Sequence, residues 1–520
     1  MSLARNVATV GIATMLSRVL GFARDVLIAA VFGSGVRADA FFVAFQLVNL
    51  VRRVLAEGAL NAATVPLYLR ARDEGGAGAA AAFAGRMVGS LAVLLSALVI
   101  VFAVAMPAVI LILAPGFTFG GERMTIAVDL ARLMLPYLAL AGPLAVMMGV
   151  LNANHRFATA AFATAAFNAT MLAALVVIYA MNSGDSQISG RILAVGVACA
   201  GVSQLVLVGA AIWIGPERIT PLTVSFGPQV RRFVALAVPG LIAAGIPQIT
   251  VIGATIVASS ERSAVSWIYY ANRLVELPLG IVGIAIGTVL VPALTHATRN
   301  ADRAESTQIE SRGIEIALGL ALPSAAGLMS LAEPIVRILF QRGAFSAIDT
   351  AATAAALAAF AGGLPGHVLV KTFSPAFFAR EDTKTPMHAA LFGFVIAIGG
   401  SIVLMPLFGH VGIAAAIALS GWASAAMLGF QIARRFGFSL DPRTRSRIPR
   451  IALAAVVMGL AVEAGRAGFP QWTSSAASPL EASLGLCALI VAGFAVYLGC
   501  LSLLRVTTPA GLLRALRRRL

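Results

Sequence analysis

Leu91-Ala-Val-Leu-Leu-Ser-Ala-Leu-Val-Ile-Val-Phe-Ala-Val-Ala-Met-Pro-Ala-Val-Ile-Leu-Ile-Leu-Ala-Pro115 contains no charged residue. A helix needs about 20 apolar residues to cross the hydrocarbon core of a bilayer, at 1.5 Å of rise each. Such a run, apolar at successive positions rather than alternate ones, predicts a helix and not a barrel strand. Working outward, similar runs are centred near Thr14, Leu50, Val101, Leu138, Met171, Val202, Ala244, Gly280, Ala321, Ala361, Val395, Ala418, Val457 and Ala492, about fourteen by the same length rule. The whole chain of 520 residues is 59% hydrophobic and only 12% charged, against about 25% charged in soluble domains. The expected fold class is an all-α polytopic membrane protein.

The net charge of +16 invites a nucleic-acid reading, but its placement argues for a membrane. Arginines crowd alternate loops: Arg70, Arg72 and Arg86; Arg218, Arg231 and Arg232; Arg299 and Arg303; Arg434 through Arg450. The intervening loops carry few, such as Arg123, Arg191, Arg262 and Arg466. By the positive-inside rule both termini of this multi-pass chain are expected in the cytoplasm. The basic tail of Arg514 and Arg517 to Arg519 then lies against anionic membrane lipids, and no nucleic-acid partner is expected. The first apolar run is interrupted by Arg18 and Arg24 and is too long for a cleaved signal peptide. Cys199, Cys487 and Cys500 fall in apolar spans with no motif spacing and read as small core residues.

The chain reads as doubled. Ala-Thr-Val-Pro66-Leu-Tyr-Leu-Arg echoes Thr-Val-Leu-Val-Pro292-Ala-Leu-Thr, and Gln46-Leu-Val-Asn49-Leu echoes Arg273-Leu-Val-Glu276-Leu once a one-residue slip is allowed. A third echo pairs the segment ending at Arg156 with the one ending at Arg380, and all offsets lie near 225 residues. The expected division is an N-lobe of six spans over 1–217, a parallel C-lobe of six over 218–440, and 441–520 as basic linker, two C-terminal helices and tail. Parallel repeats place a substrate site at the interface of the halves. The last two spans carry Glu463, Arg466 and Glu481 only near their outer loop.

Charge inside these spans is the main functional signal. An arginine at the centre of a membrane helix costs about 2.5–3.5 kcal/mol on insertion scales and persists where it faces a wet cavity. In span two, Gln46, Asn49, Arg53, Glu57 and Asn61 recur at three- and four-residue steps, one polar stripe if the helix is regular. Arg53 and Glu57 are then i,i+4 neighbours able to pair, with Arg52 turned about 100° away. Span one adds Ser17, Arg18, Arg24 and Asp25, with Arg18 and Asp25 on one face; Asp39 opens span two. Span eight clusters Asn272, Arg273 and Glu276, and span ten contributes Lys371. Arginine's planar fork favours phosphate or carboxylate. Arg18, Arg24 and Arg273 are expected to be the least redundantly paired. The competing reading is a set of structural ion pairs clamping the halves.

Enzymatic chemistry has little support. The five histidines are scattered, mostly near expected span ends, with no metal-ligand spacing, so no metal site is expected. No Gly-x4-Gly-Lys-Ser/Thr motif occurs, so no ATP cofactor is expected.

Ser17-Arg-Val-Leu-Gly-Phe-Ala-Arg24-Asp25, Asp39-Ala-Phe-Phe-Val-Ala-Phe, Asn49-Leu-Val-Arg-Arg53 and Ala56-Glu-Gly-Ala59 resemble the MurJ/MviN family of lipid II flippases. Tyr269-Tyr-Ala-Asn-Arg273-Leu-Val-Glu276 and Asp382-Thr-Lys-Thr-Pro386 extend the resemblance over nearly the whole chain. It implies a fourteen-helix member of the multidrug/oligosaccharidyl-lipid/polysaccharide exporter superfamily, a transporter and not an enzyme. The last two helices would form a hydrophobic groove for the lipid tail. The implied partner is the undecaprenyl-pyrophosphate-linked disaccharide-peptide, flipped from the inner to the outer leaflet by alternating access. On this resemblance Arg18, Arg24, Arg52 and Arg273 bind substrate, while Asp25, Asp39, Asn49, Arg53, Glu57 and Glu276 support them. Two departures stand out. Val48 replaces a proline common in relatives, and spans seven and eleven lack the acidic residues proposed elsewhere to bind sodium. Membrane potential is therefore the expected driving force. Rival expectations are a flippase for another polyprenyl-linked glycan and a non-transporting scaffold for cell-wall synthesis proteins.

Overall fold

The computed structural model describes residues 3–219, 222–225, 227–299, 303–470 and 478–506. Every regular element among them is helical: α1 (Leu3–Phe32), α2 (Val36–Val51), a π-helical turn (Arg52–Ala59), α3 (Leu60–Leu113), α4 (Glu122–Met134), α5 (Pro136–Ala153), α6 (Phe157–Ala180), α7 (Gln187–Ile214), α8 (Pro228–Ala258), α9 (Ala264–Arg299), α10 (Arg303–Ser330), α11 (Ala332–Phe340), α12 (Ala347–Phe378), α13 (Lys384–Phe408), α14 (His410–Phe436), α15 (Pro442–Gly468) and α16 (Pro479–Leu503). The centre of each expected crossing falls inside one of these helices. Among the described residues, ten are long and apolar enough to span a bilayer. The other crossings fall on α1, α2, α8 and α9; α1, α2 with its π turn, and α9 carry the arginines of interest.

Local chemistry sets the helix ends. Ser346 and Ser478 open α12 and α16 with capping boxes completed by Asp349 and Glu481, each satisfying amide donors that the first helical turn leaves open. Within α3, Gly76 adopts φ 72° and ψ −170°, a conformation cheap only for glycine. Two rods therefore meet there: Leu60–Gly75 continues the line of α2, and the charge-free span follows.

Packing divides the chain into two compact units, Met1–Ser266 with Arg342–Phe345, and Trp267–Gln341 with Ser346–Leu520. The repeat in the sequence divides at 217/218, whereas by packing α8 groups with the first unit, where it lies on α3 and the π turn. The core there includes Phe83, Met87, Leu91, Val146 and Phe233. In the second unit α12 packs on α10 and α14, and α15 on α10 and α16. At Gly366 the backbone of α14 at Trp422 passes too close for any Cβ, the small-residue contact by which membrane helices approach without water to drive them together.

Two expectations need correction. The cysteines are free thiols, but Cys199 and Cys487 are exposed and Cys500 half-buried; they sit on outward helix faces, where an apolar side chain meets lipid at no cost. His367 is not near a span end but in the middle of α12, its ring against Gly421. The basic tail lies outside the described residues.

Candidate functional site

In the first unit α1 delivers Arg24 and Asp25 to a buried position, 5% and 0% exposed. Arg24 Nε and Nη2 donate to Asp25 Oδ1 at 3.0 and 2.7 Å. Its Nη1 donates to Asn168 Oδ1 of α6 at 3.0 Å, and Asn168 Nδ2 donates onward to the backbone oxygen and hydroxyl of Ser17 at 2.9 and 3.2 Å. The guanidinium carbon lies 5.3 Å from the ring centre of Phe45 on α2. Arg24 thus ties α1 to α2 and α6, and removing either acceptor would leave a buried cation short of partners. This corrects the expectation that Arg24 is sparsely paired. It also redirects Asp25: its carboxylate serves the adjacent Arg24, and Arg18 makes no hydrogen bond or ion pair among the described residues. Arg18 is half-buried.

Arg52 stands on the far side of the same aromatic pair. Its guanidinium carbon lies 5.4 Å from the ring centre of Phe167 on α6, Phe167 stacks with Phe45 at 6.4 Å, and Tyr137 meets Phe167 edge-on at 5.6 Å. Each of the two stacked rings therefore has a cation over it, attracted by the ring's electron-rich face. Arg52 Nη2 also reaches Asn49 Oδ1 at 3.5 Å. Arg52 and Arg53 both lie on the π turn, where the ladder runs i to i+5, a distortion frequent at functional sites. The stripe read as regular α-helix consequently shifts phase after Val51. α2 itself runs unbroken through Val48, so the irregularity of this rod sits at the arginines. The side chain of Glu57 lies outside the described residues, and so does the expected Arg53–Glu57 pair.

Asp39, fully buried at the start of α2, is occupied differently. It accepts from Ser263 N at 2.8 Å, Ser266 N at 3.1 Å and Ser266 Oγ at 2.6 Å, capping the turn that opens α9. It pairs with no arginine at salt-bridge distance among the described residues.

In the second unit Arg273 Nη1 donates to Glu276 Oε2 at 3.1 Å, and Asn272 Nδ2 approaches Glu276 Oε1 at 3.4 Å. Arg273, expected to be sparsely paired, has this neighbour one turn along its own helix. Lys371 Nζ stands 3.5 Å from the backbone oxygen of Leu279, directly over Gly283. The missing side chain at Gly283 is thus room for a lysine.

Arg24, Asp25, Asn49 and Arg52 belong to one network in the first unit, Asp39 to a separate cap, and Arg273 with Glu276 to the second unit. Sequence reasoning missed Asn168, Phe45 and Phe167. The signal for Asn168 was present, an amide within the apolar run Phe157–Ala180. The arrangement is a cationic surface: Arg24 bonded across helices, Arg52 beside a ring and Asn49, and Arg18 carrying donors no described residue uses.

Comparison with known proteins places this chemistry. The family described as "Lipid II flippase MurJ" matches residues 28–478. The chain is 40% identical over 502 residues to the probable lipid II flippase MurJ of Rhizobium meliloti, covering 96% of this chain and 93% of that protein. It is 33% identical over 509 residues to the lipid II flippase MurJ of Burkholderia cenocepacia, covering 96% and 97%. Its fold matches a solved structure, "Lipid II flippase MurJ, inward closed conformation", with TM-score 0.79 at 24% identity over 95% of this chain and 98% of that one. An inward-facing multidrug resistance transporter of the MATE family aligns with TM-score 0.68 at 14% identity, covering 86% and 98%. With its arginines set into membrane-spanning helices and this match over most of its length, the chain belongs to the MurJ family of lipid II flippases, multi-pass membrane transporters rather than enzymes.

Proposed function

We propose that this chain carries lipid II, the undecaprenyl-pyrophosphate-linked disaccharide-peptide, from the cytoplasmic to the periplasmic leaflet of the bacterial inner membrane, with both termini cytoplasmic. The observation that carries the reading is Arg18, a half-buried guanidinium without a protein counter-ion among the described residues, on the same helix as the fully engaged Arg24. A cation left so in an apolar span is costly unless an anion arrives, and a pyrophosphate accepts the two parallel hydrogen bonds a guanidinium offers. Arg24 and Arg52 supply fixed positive field around it. In the second unit, considered by itself, Arg273 is the candidate to exchange its short-range contact with Glu276 for an anion. Alternating access moves the head group because the loaded and empty states differ in cation repulsion, which the substrate relieves. Membrane potential drives the cycle through charges that move with the helices; no nucleotide is consumed.

The test is lipid II translocation in vesicles reconstituted with the purified chain. Arg18→Ala is expected to abolish translocation while the protein inserts and melts normally, and Arg18→Lys to restore part of it, since charge returns without the fork. Full translocation by Arg18→Ala would sink the receptor role. Translocation of other polyprenyl-linked glycans at equal rate would replace the substrate assignment.

A further inference from the structure

In the second unit, a cavity of about 440 Å³ opens between the end of α10, the start of α11 and the end of α15. Its apolar part is formed by Met329 and Leu460, both more than half exposed. Its rim is charged. Glu333 is bridged by two guanidiniums: Arg337 Nη1 lies 2.9 Å from Oε1, and Arg466 Nη1 lies 3.6 Å from Oε2. Arg466 also bonds Glu463 on its own helix. Glu333 and Glu463 remain 48% and 46% exposed, so both carboxylates keep open faces.

Position along the helix identifies the environment. α15 starts among Arg443, Arg445, Arg447 and Arg450, reaches Glu463 thirteen residues after the last of them and ends at Gly468. At 1.5 Å per residue Glu463 is about 20 Å from Arg450 and the helix end about 27 Å, close to the thickness of the hydrocarbon core. The cavity, on the last turns of α15, therefore lies in the leaflet opposite the basic linker, below its head groups. Its apolar wall meets acyl chains and its polar rim is within reach of lipid head groups.

We propose that this cavity binds a phospholipid bearing both a phosphate and a primary ammonium, with the ammonium between Glu333 and Glu463 and the phosphate on Arg466. Two acids and one base, Glu333, Glu463 and Arg466, line the rim, with Arg337 behind Glu333, so it offers no net attraction to an anionic lipid or to a pyrophosphate. A zwitterion matches it group for group, and the three donors of a primary ammonium use acceptors that a quaternary one cannot. The site is independent of the pyrophosphate reading and gives the two C-terminal helices a lipid ligand of their own.

The experiment is native mass spectrometry of the full chain released from nanodiscs of equimolar phosphatidylethanolamine, phosphatidylcholine and phosphatidylglycerol. Phosphatidylethanolamine is expected to be retained about tenfold over either competitor. Joint Glu333→Gln and Glu463→Gln substitution should bring retention to parity. Leu460→Trp fills the apolar wall without touching the ion pairs and should lower retention of all three lipids at an unchanged melting temperature. Equal retention of the three head groups by the unmodified chain would overturn the proposal, as would a phosphatidylethanolamine preference that survives both variants.

Discussion

Arg24 and Arg273 are the same residue in the same kind of apolar helix, yet the two units hold them in opposite ways. Arg24 is buried and bonded across helices to Asn168, with Asp25 and Phe45 completing its surroundings. Arg273 is 22% exposed and paired along its own helix with a Glu276 that is itself 30% exposed. A cross-helix partner fixes where helices sit; a same-helix partner one turn away fixes only a side chain and is easily released. The first arrangement is suited to shaping a site and the second to engaging a ligand.

The sharpest way to break this contrast is to remove the acids. Asp25→Ala leaves Arg24 buried with an uncompensated charge and should cost about 3–5 kcal/mol, read as a large fall in the melting temperature of the purified protein. Asp39→Ala orphans the three donors of Ser263 and Ser266 and should cost about 1–3 kcal/mol. Slow hydrogen exchange at those amides should be lost with it. Glu276→Gln touches a half-buried same-helix pair, with less to lose than a buried one, so the melting temperature should move far less than in Asp25→Ala. Lipid II translocation should nevertheless change, because Arg273 loses its resting partner. If Glu276→Gln destabilised as strongly as Asp25→Ala, the contrast would collapse.

The smallest effect is expected in the loop before α13. There the Asp382 carboxyl is held below the ordinary carboxylate range, chiefly by the hydroxyl and amide of Thr385, with Arg435 adding to the effect. A depressed carboxyl stabilises the fold above its unfolded pKa, about 3.9 for Asp, and that contribution fades as pH falls through the lower folded value. Protection of the Thr385 amide should stay flat from neutral pH down to that range and decline only below it. In Thr385→Ala, NMR titration of Asp382 should show its pKa moving back up.

Much of this was legible in the chain. The spans followed from apolar length, and the arginines stood out because charge is scarce within those runs. Their partners did not, for physical reasons. Asp39 bonds residues 224 and 227 positions away, a distance over which periodicity carries no information. Phe45 and Phe167 have no sequence property that separates a ring facing a guanidinium from one packed in a core. The Arg18–Asp25 face was correct as helix geometry, but geometry alone could not say that Arg24 would take the carboxylate.

The π turn settles a smaller puzzle of alignment. Pro66 lies twenty residues after Gln46, whereas Pro292 lies nineteen after Arg273. Between them the first copy folds Arg52–Ala59 as a π turn, while α9 is assigned as α-helix from Ala264 to Arg299. Widening one turn to i→i+5 is how a helix absorbs a surplus residue without breaking. On the doubled reading of the chain, the difference of one residue falls where the first segment makes its π turn, which carries Arg52 and Arg53. Deleting one residue there would let an ordinary turn re-form and leave the side chains beyond it on their present faces, whereas the same deletion in the regular helix before it would swing them by about 100°.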